Sequence, residues 1–360
     1  MGARVTQRIV VHTLGDGLID NQWGLLSSDG QNRNQVRDKC LEGKLTSELG
    51  GNFDQVFNAY DGFTLGNILG QGWLGVSLPQ DNKARLDAYV NLKHGEPLLG
   101  RSVTPLKEVK EFITQNSSQT HYVVIGARGY DFRGDLRNLF GYFQSIRQIQ
   151  AQYLELVRQV RDIGPHVRPV LVLQYRPPVA EKIYTQLDRL TGVISLLYLA
   201  AIGSFFRLAS QLFAKKIRAA VVPALMTLGL SGLLYVYHRY IPFKATFSFF
   251  KGQRPGIAII CDLMQKFYRP ILADSQLWHL PILDLANQFN PADSRLYVAN
   301  AELSIEGGEK VASCLARIIK GTPGTRPHDY TSHSIVYLEN HWGYNNPDAV
   351  PYTIDYPRKI

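Results

Sequence analysis

The chain has 360 residues, of which 45% are hydrophobic and 19% charged, a composition that excludes an intrinsically disordered protein. It carries 39 Lys and Arg against 30 Asp and Glu, for a formal net charge of +9. This basic balance favours an anionic partner surface. The sequence contains no Lys/Arg-rich block and no DNA- or RNA-binding motif, so we predict no nucleic-acid partner.

Motifs for metal, nucleotide or disulfide chemistry are also absent from the sequence. The three cysteines, Cys40, Cys261 and Cys314, are far apart and form neither a zinc spacing nor a disulfide framework. There is no Walker motif and no dinucleotide-binding glycine fingerprint. We therefore predict that the protein uses no metal and no cofactor. The N-terminal residues lead straight into an apolar segment, so we expect no cleavable signal peptide.

Short apolar runs alternate with longer amphipathic stretches along most of the chain. The predicted strands are Ile9–His12, Val56–Ala59, Tyr122–Gly126, Val170–Tyr175 and Leu280–Leu285. Continuous apolar runs of this length are typical of strands buried on both faces of a parallel sheet. Apolar residues three or four positions apart predict helices over Phe140–Ile163 and Lys310–Ile319. The alternation predicts an α/β fold, a flavodoxin-like three-layer sandwich with about five parallel strands in the order 2-1-3-4-5.

Residues 190–250 interrupt this pattern. Leu190–Phe206 and Ala219–Val236 are uncharged and are joined by a basic connector. Because a membrane-spanning helix needs about 20 apolar residues, a two-helix membrane hairpin is one interpretation. A shallow hairpin in one leaflet and a helical cap over the pocket of a soluble protein are the alternatives. An insertion that is apolar on all faces has little to pack on once a sheet is covered, so we predict membrane association.

These patterns predict three parts of the chain. Residues 1–189 and 251–325 form the α/β domain, residues 190–250 form the inserted hydrophobic helical hairpin, and residues 326–360 form a C-terminal extension. In parallel sheets, ligands bind at the carboxyl ends of the strands. The segments that directly follow the first and third strands are therefore expected to line one crevice.

Four motifs follow strands or precede helices in a characteristic order. They are Leu14–Asn21 (LGDGLIDN), Asp61–Thr64 (DGFT), Val123–Asp131 (VVIGARGYD) and Glu302–Ala312 (ELSIEGGEKVA). In this order they resemble the four sequence blocks of the SGNH/GDSL hydrolases, a family of esterases and lipases. The resemblance covers roughly residues 5–185 and 255–320, and it implies a lipid or acyl-ester ligand.

The resemblance also implies a set of site residues, most of which are substituted here. Gly17 stands at the position of the nucleophilic serine, Ala299 at that of the acid and Glu302 at that of the histidine. Tyr130 replaces the asparagine of the third block, while Gly62 falls where the family has an oxyanion-hole glycine. Serine-type hydrolysis needs a nucleophile activated by an oriented base, and glycine has no side chain to supply one.

Three interpretations of the substituted site stay open. The first is a family member whose catalysis is impaired, with Glu302 as a base if burial raises the pKa of its carboxyl, or with His333 as the base. The second is an enzyme in which a serine at position 17 has been changed. The third is a membrane-anchored, non-enzymatic lipid-binding or interaction protein that uses the same fold. Asp16 is expected to hold a turn beside the pocket, and Asp20 and Asn21 to cap the following helix.

Overall fold

The computed structural model describes residues 8–16, 18–21, 25, 36–60, 63–71, 104–126, 139–175, 180–252, 254–277, 280–285, 289, 293–298 and 302–320. The strands are β1 Ile9–Gly15, β2 Phe53–Ala59, β3 Thr120–Gly126, β4 Val167–Leu173, β5 Ile282–Asp284, β6 Tyr297–Val298 and β7 Glu302–Leu303. The α-helices are α1 Leu41–Leu49, α2 Leu65–Ile68, α3 Pro105–Gln115, α4 Leu139–Arg161, α5 Ala180–Phe213, α6 Ile217–Tyr240, α7 Phe243–Thr246, α8 Pro255–Leu277 and α9 Ile305–Lys320. Two 3-10 helices cover Ser248–Lys251 and Ser294–Leu296.

Five strands form a parallel sheet in the order β2-β1-β3-β4-β5, which confirms the predicted α/β fold class and strand order. β1 lies inside the sheet, paired with β2 on one side and β3 on the other. Its carboxyl end at Gly15 is level with Ala59 of β2 and Gly126 of β3. The ends of these three neighbouring strands therefore meet at one edge of the sheet.

Helices cover both faces of the sheet. On one face, α1 and α9 pack against each other and share a core with the alternating apolar side chains of β1, β3 and β4. A buried hydrogen bond from Thr13 Oγ1 to Glu42 Oε1, 2.6 Å long, ties α1 to β1. On the other face, α3 lies against β1 and β2, and α4 lies against β4. Layers on both faces explain why the strands are continuous apolar runs.

The last helix begins earlier than its apolar spacing predicts. The sequence pattern predicts Lys310–Ile319, whereas α9 spans Ile305–Lys320. Ser304 caps the helix, because its Oγ accepts a hydrogen bond from the backbone N–H of Gly307 at 3.1 Å. A methyl group at Gly307 would lie 2.3 Å from the carbonyl oxygen of Leu296, so the first turn needs glycine for close packing. Glycine weakens the helical pattern, which is why the start escapes sequence inspection.

A buried histidine pair lies within the sheet. His12 and His121 are fully buried, and His12 Nε2 lies 3.1 Å from His121 Nδ1. His121 Nε2 lies 2.9 Å from the carbonyl oxygen of Asn116, which can only accept a hydrogen bond. His121 therefore carries its proton on Nε2 and accepts from His12. Burial, together with the neighbouring His121, lowers the pKa of His12 to about 3, although the Asn58 side chain opposes this in part.

We expect this pair to make the fold acid-sensitive. Burial also lowers the pKa of His121, so both rings are neutral in the folded chain. Below about pH 6.5 the unfolded chain binds a proton that folded His12 does not accept until about pH 3. The free energy of unfolding therefore falls as the pH falls. His12 alone accounts for a loss of about 2 kcal/mol between about pH 7 and pH 5.

Urea unfolding of the full chain in nonionic detergent, followed by circular dichroism, measures this pH dependence. The His12→Gln variant is expected to lose about 2 kcal/mol less than the wild type over the same interval, whatever its stability at neutral pH. An identical pH dependence in the two proteins would contradict the assignment of the acid sensitivity to His12.

The chain divides into two compact units. The described residues of Met1–Pro178 and Phe267–Pro351 belong to the first unit, and Val179–Lys266 forms the second, so the boundary falls within α8. The second unit contains the predicted insertion at residues 190–250 and extends beyond it at both ends. Within it, Asp188 accepts hydrogen bonds from the backbone N–H of Gly256 at 2.7 Å and from the guanidinium of Arg254 at 2.9 Å. This carboxylate therefore joins the start of α8 to α5.

The second unit contains the predicted hairpin of two long apolar helices. α5 and α6 pack against each other, and a turn of three residues joins them. The stretches Tyr184–Phe213 and Ile217–Arg239 are long and apolar enough to cross a membrane. Both helices are longer than the uncharged runs, because α5 continues to Phe213 and α6 begins at Ile217, both within the basic connector.

Candidate functional site

The carboxyl end of β1 is the meeting point of the first three motifs. The carbonyl oxygen of Gly15 accepts a hydrogen bond from the backbone N–H of Tyr60 at 3.0 Å, directly before the second motif. The backbone N–H of Asp16 donates to the carbonyl oxygen of Gly126 at 3.2 Å, in the third motif. The first motif is thus joined on one side to the second and on the other side to the third.

Asn21 joins the first motif to the fourth. Its side chain is buried, and Nδ2 donates to the carbonyl oxygen of Leu303 at 3.1 Å, next to Glu302. Its Oδ1 accepts from the backbone N–H of Leu41 at 2.8 Å. Asn21 therefore caps α1, which lies 20 residues further along the chain, as well as fixing the fourth motif. All four motifs adjoin the end of β1 in the described part of the chain.

Asp16 holds the turn that follows β1. Its side chain is fully buried, and Oδ1 accepts a hydrogen bond from the backbone N–H of Leu18 at 3.0 Å. Its carbonyl oxygen accepts from the N–H groups of Ile19 and Asp20, each at 2.9 Å. These three hydrogen bonds start a helical turn immediately after the strand. Asp16 thereby fixes the backbone on both sides of position 17.

The glycines at the ends of β1 and β3 allow the two strands to approach closely. A methyl group at Gly15 would lie 2.1 Å from the carbonyl oxygen of Gly126, and one at Gly126 would lie 2.5 Å from the Ile19 side chain. A backbone oxygen cannot move away as a flexible side chain can. The glycines of the first and third motifs therefore have a packing role that is independent of any chemistry.

We expect Gly15→Ala to lower the free energy of unfolding by about 1–3 kcal/mol, the usual effect of overpacking. Urea unfolding monitored by circular dichroism measures the change. Gly51→Ala is the matched control, because a methyl group there meets no atom within 4 Å. The control is expected to leave stability unchanged or slightly raised. Equal stability of the Gly15 variant and the wild type would contradict the close approach of the two strands.

The predicted site residues are only partly within the described residues. Asp16 and Glu302 are described, and Glu302 is half-buried in β7, paired with Val298 of β6. Gly17, Gly62, Tyr130, Ala299 and His333 lie outside the described residues. Their assignment to nucleophile, oxyanion, acid and base positions therefore stays a prediction from the resemblance. All of these positions except His333 lie in or next to the four motifs. The structure shows that the described parts of the four motifs converge.

A shallow groove lies elsewhere in the first unit, which contains the sheet and is called the α/β unit below. It measures about 520 Å³ and runs along α4, lined by Gln71, Gln148, Ala151, Gln152, Leu154, Glu155 and Arg158. Gln152 donates a hydrogen bond to Gln71 at 3.3 Å across it. The groove contains none of the predicted site residues. Five of its seven lining residues have polar or charged side chains, but the surface that they present to the groove is mainly apolar.

The second candidate surface is the outside of the helical hairpin. In the described part of the chain, all the strongly exposed large hydrophobic side chains lie within the stretch from Val193 to Phe250. Examples on α5 are Leu199 at 66% and Phe213 at 89% exposed, and on α6 Leu228 at 71%. Soluble monomers rarely expose contiguous apolar surface on this scale, so the pattern indicates an interaction surface.

Polar groups inside the helix pair are hydrogen-bonded to each other. Ser204 Oγ on α5 and Thr227 Oγ1 on α6 both donate to the carbonyl oxygen of Pro223, at 2.9 and 2.8 Å. Tyr198 and His238 form a second hydrogen bond between the helices. The pair thus satisfies these polar groups internally, as helices in an apolar medium must. The two helices and their outward apolar side chains suggest membrane association.

Comparisons with known proteins leave the function open. No known family model matches the chain, and no curated protein matches it. A solved structure matches over 88% of this chain and 100% of that chain, with 12% identity and a TM-score of 0.44. A likeness at this level carries no argument about function. Any functional assignment therefore depends on the sequence motifs and on the surfaces described above.

Proposed function

We propose that this protein is a membrane-anchored relative of the SGNH/GDSL ester hydrolases in which serine-type hydrolysis is lost. The observation that carries the proposal is the outward apolar surface of the hairpin. Apolar side chains that are more than half exposed, such as Leu199, Phe213 and Leu228, are unfavourable in water and favourable in lipid. The hairpin would hold the α/β unit at a membrane surface, where lipid or acyl-ester ligands are concentrated.

The convergence of the four motifs supports the family assignment in this proposal. In a serine esterase, the nucleophile must reach the ester carbonyl carbon, the oxyanion donors must reach the carbonyl oxygen, and the base must reach the proton of the nucleophile. The hydrogen bonds of Gly15, Asp16 and Asn21 draw the motifs to one edge of the sheet. Gly17 in the sequence leaves that edge without the oxygen nucleophile of the family. The proposed role is therefore to bind lipid or acyl-ester ligands without hydrolysing them.

A second candidate is an interaction protein that uses the fold only as a scaffold. The structural use of the polar side chains favours it: Asp16 and Asn21 are buried and make hydrogen bonds to backbone groups. Binding of a lipid or acyl ester that is lost on mutation beside β1 would separate the first candidate from this one. Both candidates share the membrane anchor.

Membrane fractionation without detergent tests the anchor. We expect the full chain to float with vesicles in a density gradient and to stay in the membrane fraction of cells that express it. Deleting residues 190–250 should release it into the soluble fraction, because the exposed apolar side chains are lost. A full chain that is soluble and monomeric without detergent would contradict the anchor and favour a helical cap.

A further inference from the structure

Basic residues flank the central part of the hairpin's apolar surface. On α5, exposed Arg189 and Arg207 lie on either side of it, and their 18-residue separation corresponds to about 27 Å at 1.5 Å per residue. Leu212, Phe213 and Ile217 extend the exposed apolar surface past Arg207 to the tip. On α6, exposed Arg218 and Arg239 are separated by about 32 Å on the same scale. The hydrocarbon core of a bilayer is about 30 Å thick. Cations therefore stand on both helices where the headgroup layers of a spanned bilayer would lie.

The antiparallel arrangement of the helices brings these cations together in two layers. Ser204 on α5 contacts Pro223 on α6, whereas Tyr198 contacts His238 near the other end of α6. Arg189 and Arg239 therefore share one end of the pair, the base rim. Arg207, Lys215, Lys216 and Arg218 share the other end, the tip rim. All six side chains are exposed.

No acidic residue balances this charge within the hairpin. Residues 190–250 contain no Asp or Glu, and their six Lys and Arg are Lys244 and all the rim residues except Arg189. Asp188, the acid that directly precedes this stretch on α5, is hydrogen-bonded to Arg254 and to the backbone of Gly256. Within the described part of the chain, the cations of both rims are thus available to an external anion, and several of them face the same layer. A surface with many anionic groups in one plane can bind several of these cations at once.

In the turn between α5 and α6, Lys215 occupies a backbone position where glycine is usual. Lys215 has a φ of 53°, in the left-handed region, and its N–H donates to the carbonyl oxygen of Leu212 at 3.0 Å. The N–H of Lys216 donates to the carbonyl oxygen of Gln211 at 2.9 Å. These two hydrogen bonds form a Schellman motif, in which glycine is the usual residue at the left-handed position. Glycine at position 215 would relieve the backbone strain but would remove a charge from the tip rim.

Aromatic side chains lie next to the base rim. Phe243, Phe249 and Phe250 are 59%, 42% and 77% exposed, and Lys244 and Lys251 beside them are also exposed. Aromatic and basic residues in alternation are typical of segments that lie at the boundary between acyl chains and headgroups. This segment therefore extends the base rim along the same headgroup layer.

We propose that the hairpin spans the bilayer and binds anionic phospholipid, with the base rim in one headgroup layer and the tip rim in the other. This proposal rests on the membrane anchor proposed above and adds the class of lipid. Each basic residue near an anionic membrane surface strengthens binding about fivefold. The three charges of Lys215, Lys216 and Arg218 alone thus correspond to about a hundredfold preference for anionic over neutral vesicles.

Vesicle flotation of the full chain tests the lipid preference. Protein in nonionic detergent is diluted into vesicles of phosphatidylcholine alone, or of phosphatidylcholine with a third replaced by phosphatidylglycerol. We expect stronger partition into the anionic vesicles, and high salt should reduce this preference because it screens exposed charges. The triple variant Lys215→Gln, Lys216→Gln, Arg218→Gln should lose about a hundredfold in partition into anionic vesicles and be no weaker on neutral ones.

A matched triple variant controls for net charge. Lys107→Gln, Arg158→Gln and Arg295→Gln remove three exposed charges from the α/β unit and should leave the lipid preference intact. Lys215→Gly controls for folding of the tip, since it should weaken anionic binding about fivefold although it relieves the turn.

The outcomes separate the two proposals. Equal partition of the wild type into both kinds of vesicle would overturn the lipid preference and leave the anchor in place. An unchanged preference in the tip variant, or its loss in the control variant, would also overturn it. Failure of the wild type to float with either kind of vesicle would overturn the anchor itself.

Discussion

Replacing Leu199 and Leu228 together by aspartate is expected to move the full chain from the membrane fraction to the soluble fraction. The two side chains lie near the middle of α5 and α6, midway between the two rims, and are 66% and 71% exposed. A charged residue at the centre of a spanning helix costs about 2.5–3.5 kcal/mol. Two of them reduce membrane partition by roughly 10⁴-fold or more if their effects add. Flotation of the variant with vesicles measures the change.

The conservative pair Leu199→Ile and Leu228→Ile is the control, because it keeps the apolar surface and should float like the wild type. Circular dichroism of the aspartate variant should show retained helix, since neither side chain is buried in the helix pair. Continued flotation of the folded aspartate variant would contradict burial of these faces in lipid. A wild type that stays soluble without detergent would favour the helical cap.

Serine-type ester hydrolysis is expected to be lower by about 10⁶-fold than in an intact triad enzyme, as when a nucleophile is removed. The reason is Gly17, together with Ala299 and Glu302 at the positions of the acid and the base. A residual rate about 10³–10⁴-fold above water can persist from an oxyanion hole alone, so weak turnover does not show a working triad. Covalent labelling by a fluorophosphonate probe is the sharper measurement, and the unmodified chain should not be labelled.

Gly17→Ser distinguishes the interpretations of the site, with Gly17→Ala as the matched control for added bulk. If the site is a degenerate one, neither variant should be labelled by the probe. Labelling and turnover in the serine variant alone would show an intact esterase that lacks only its nucleophile, with Glu302 or His333 as the base. Labelling of the unmodified chain at another serine would contradict the loss of serine chemistry altogether.

The parallel sheet was predictable because strands that are apolar on both faces alternate with helices, and its order was predicted from that alternation and from the order of the four motifs. The runs at Ile9–His12 and Tyr122–Gly126 have this composition because side chains on both faces of β1 and β3 are buried. Strand ends were less predictable. β2 extends back to Phe53, and α9 begins at Ile305, because pairing with a neighbour and a cap from Ser304 set those limits.

The connections between distant segments were not predictable. The position of Asn21 after β1 predicts a cap for the following helix, yet its amide bridges Leu41 and Leu303, which are remote in sequence. His12 and His121 are 109 residues apart and give no pattern that predicts their contact. Neighbouring strands in the sheet bring them together.

The sequence by itself determined the alternation of strands and helices and the uncharged length of the hairpin, because burial and helix periodicity act locally. It also determined the absence of a serine at position 17. Only the tertiary structure decided that the four motifs meet at the end of β1 and that the outward faces of α5 and α6 stay uncovered within the unit they form. Contacts between segments a hundred residues apart depend on how individual side chains pack between strands and helices, which no local pattern encodes.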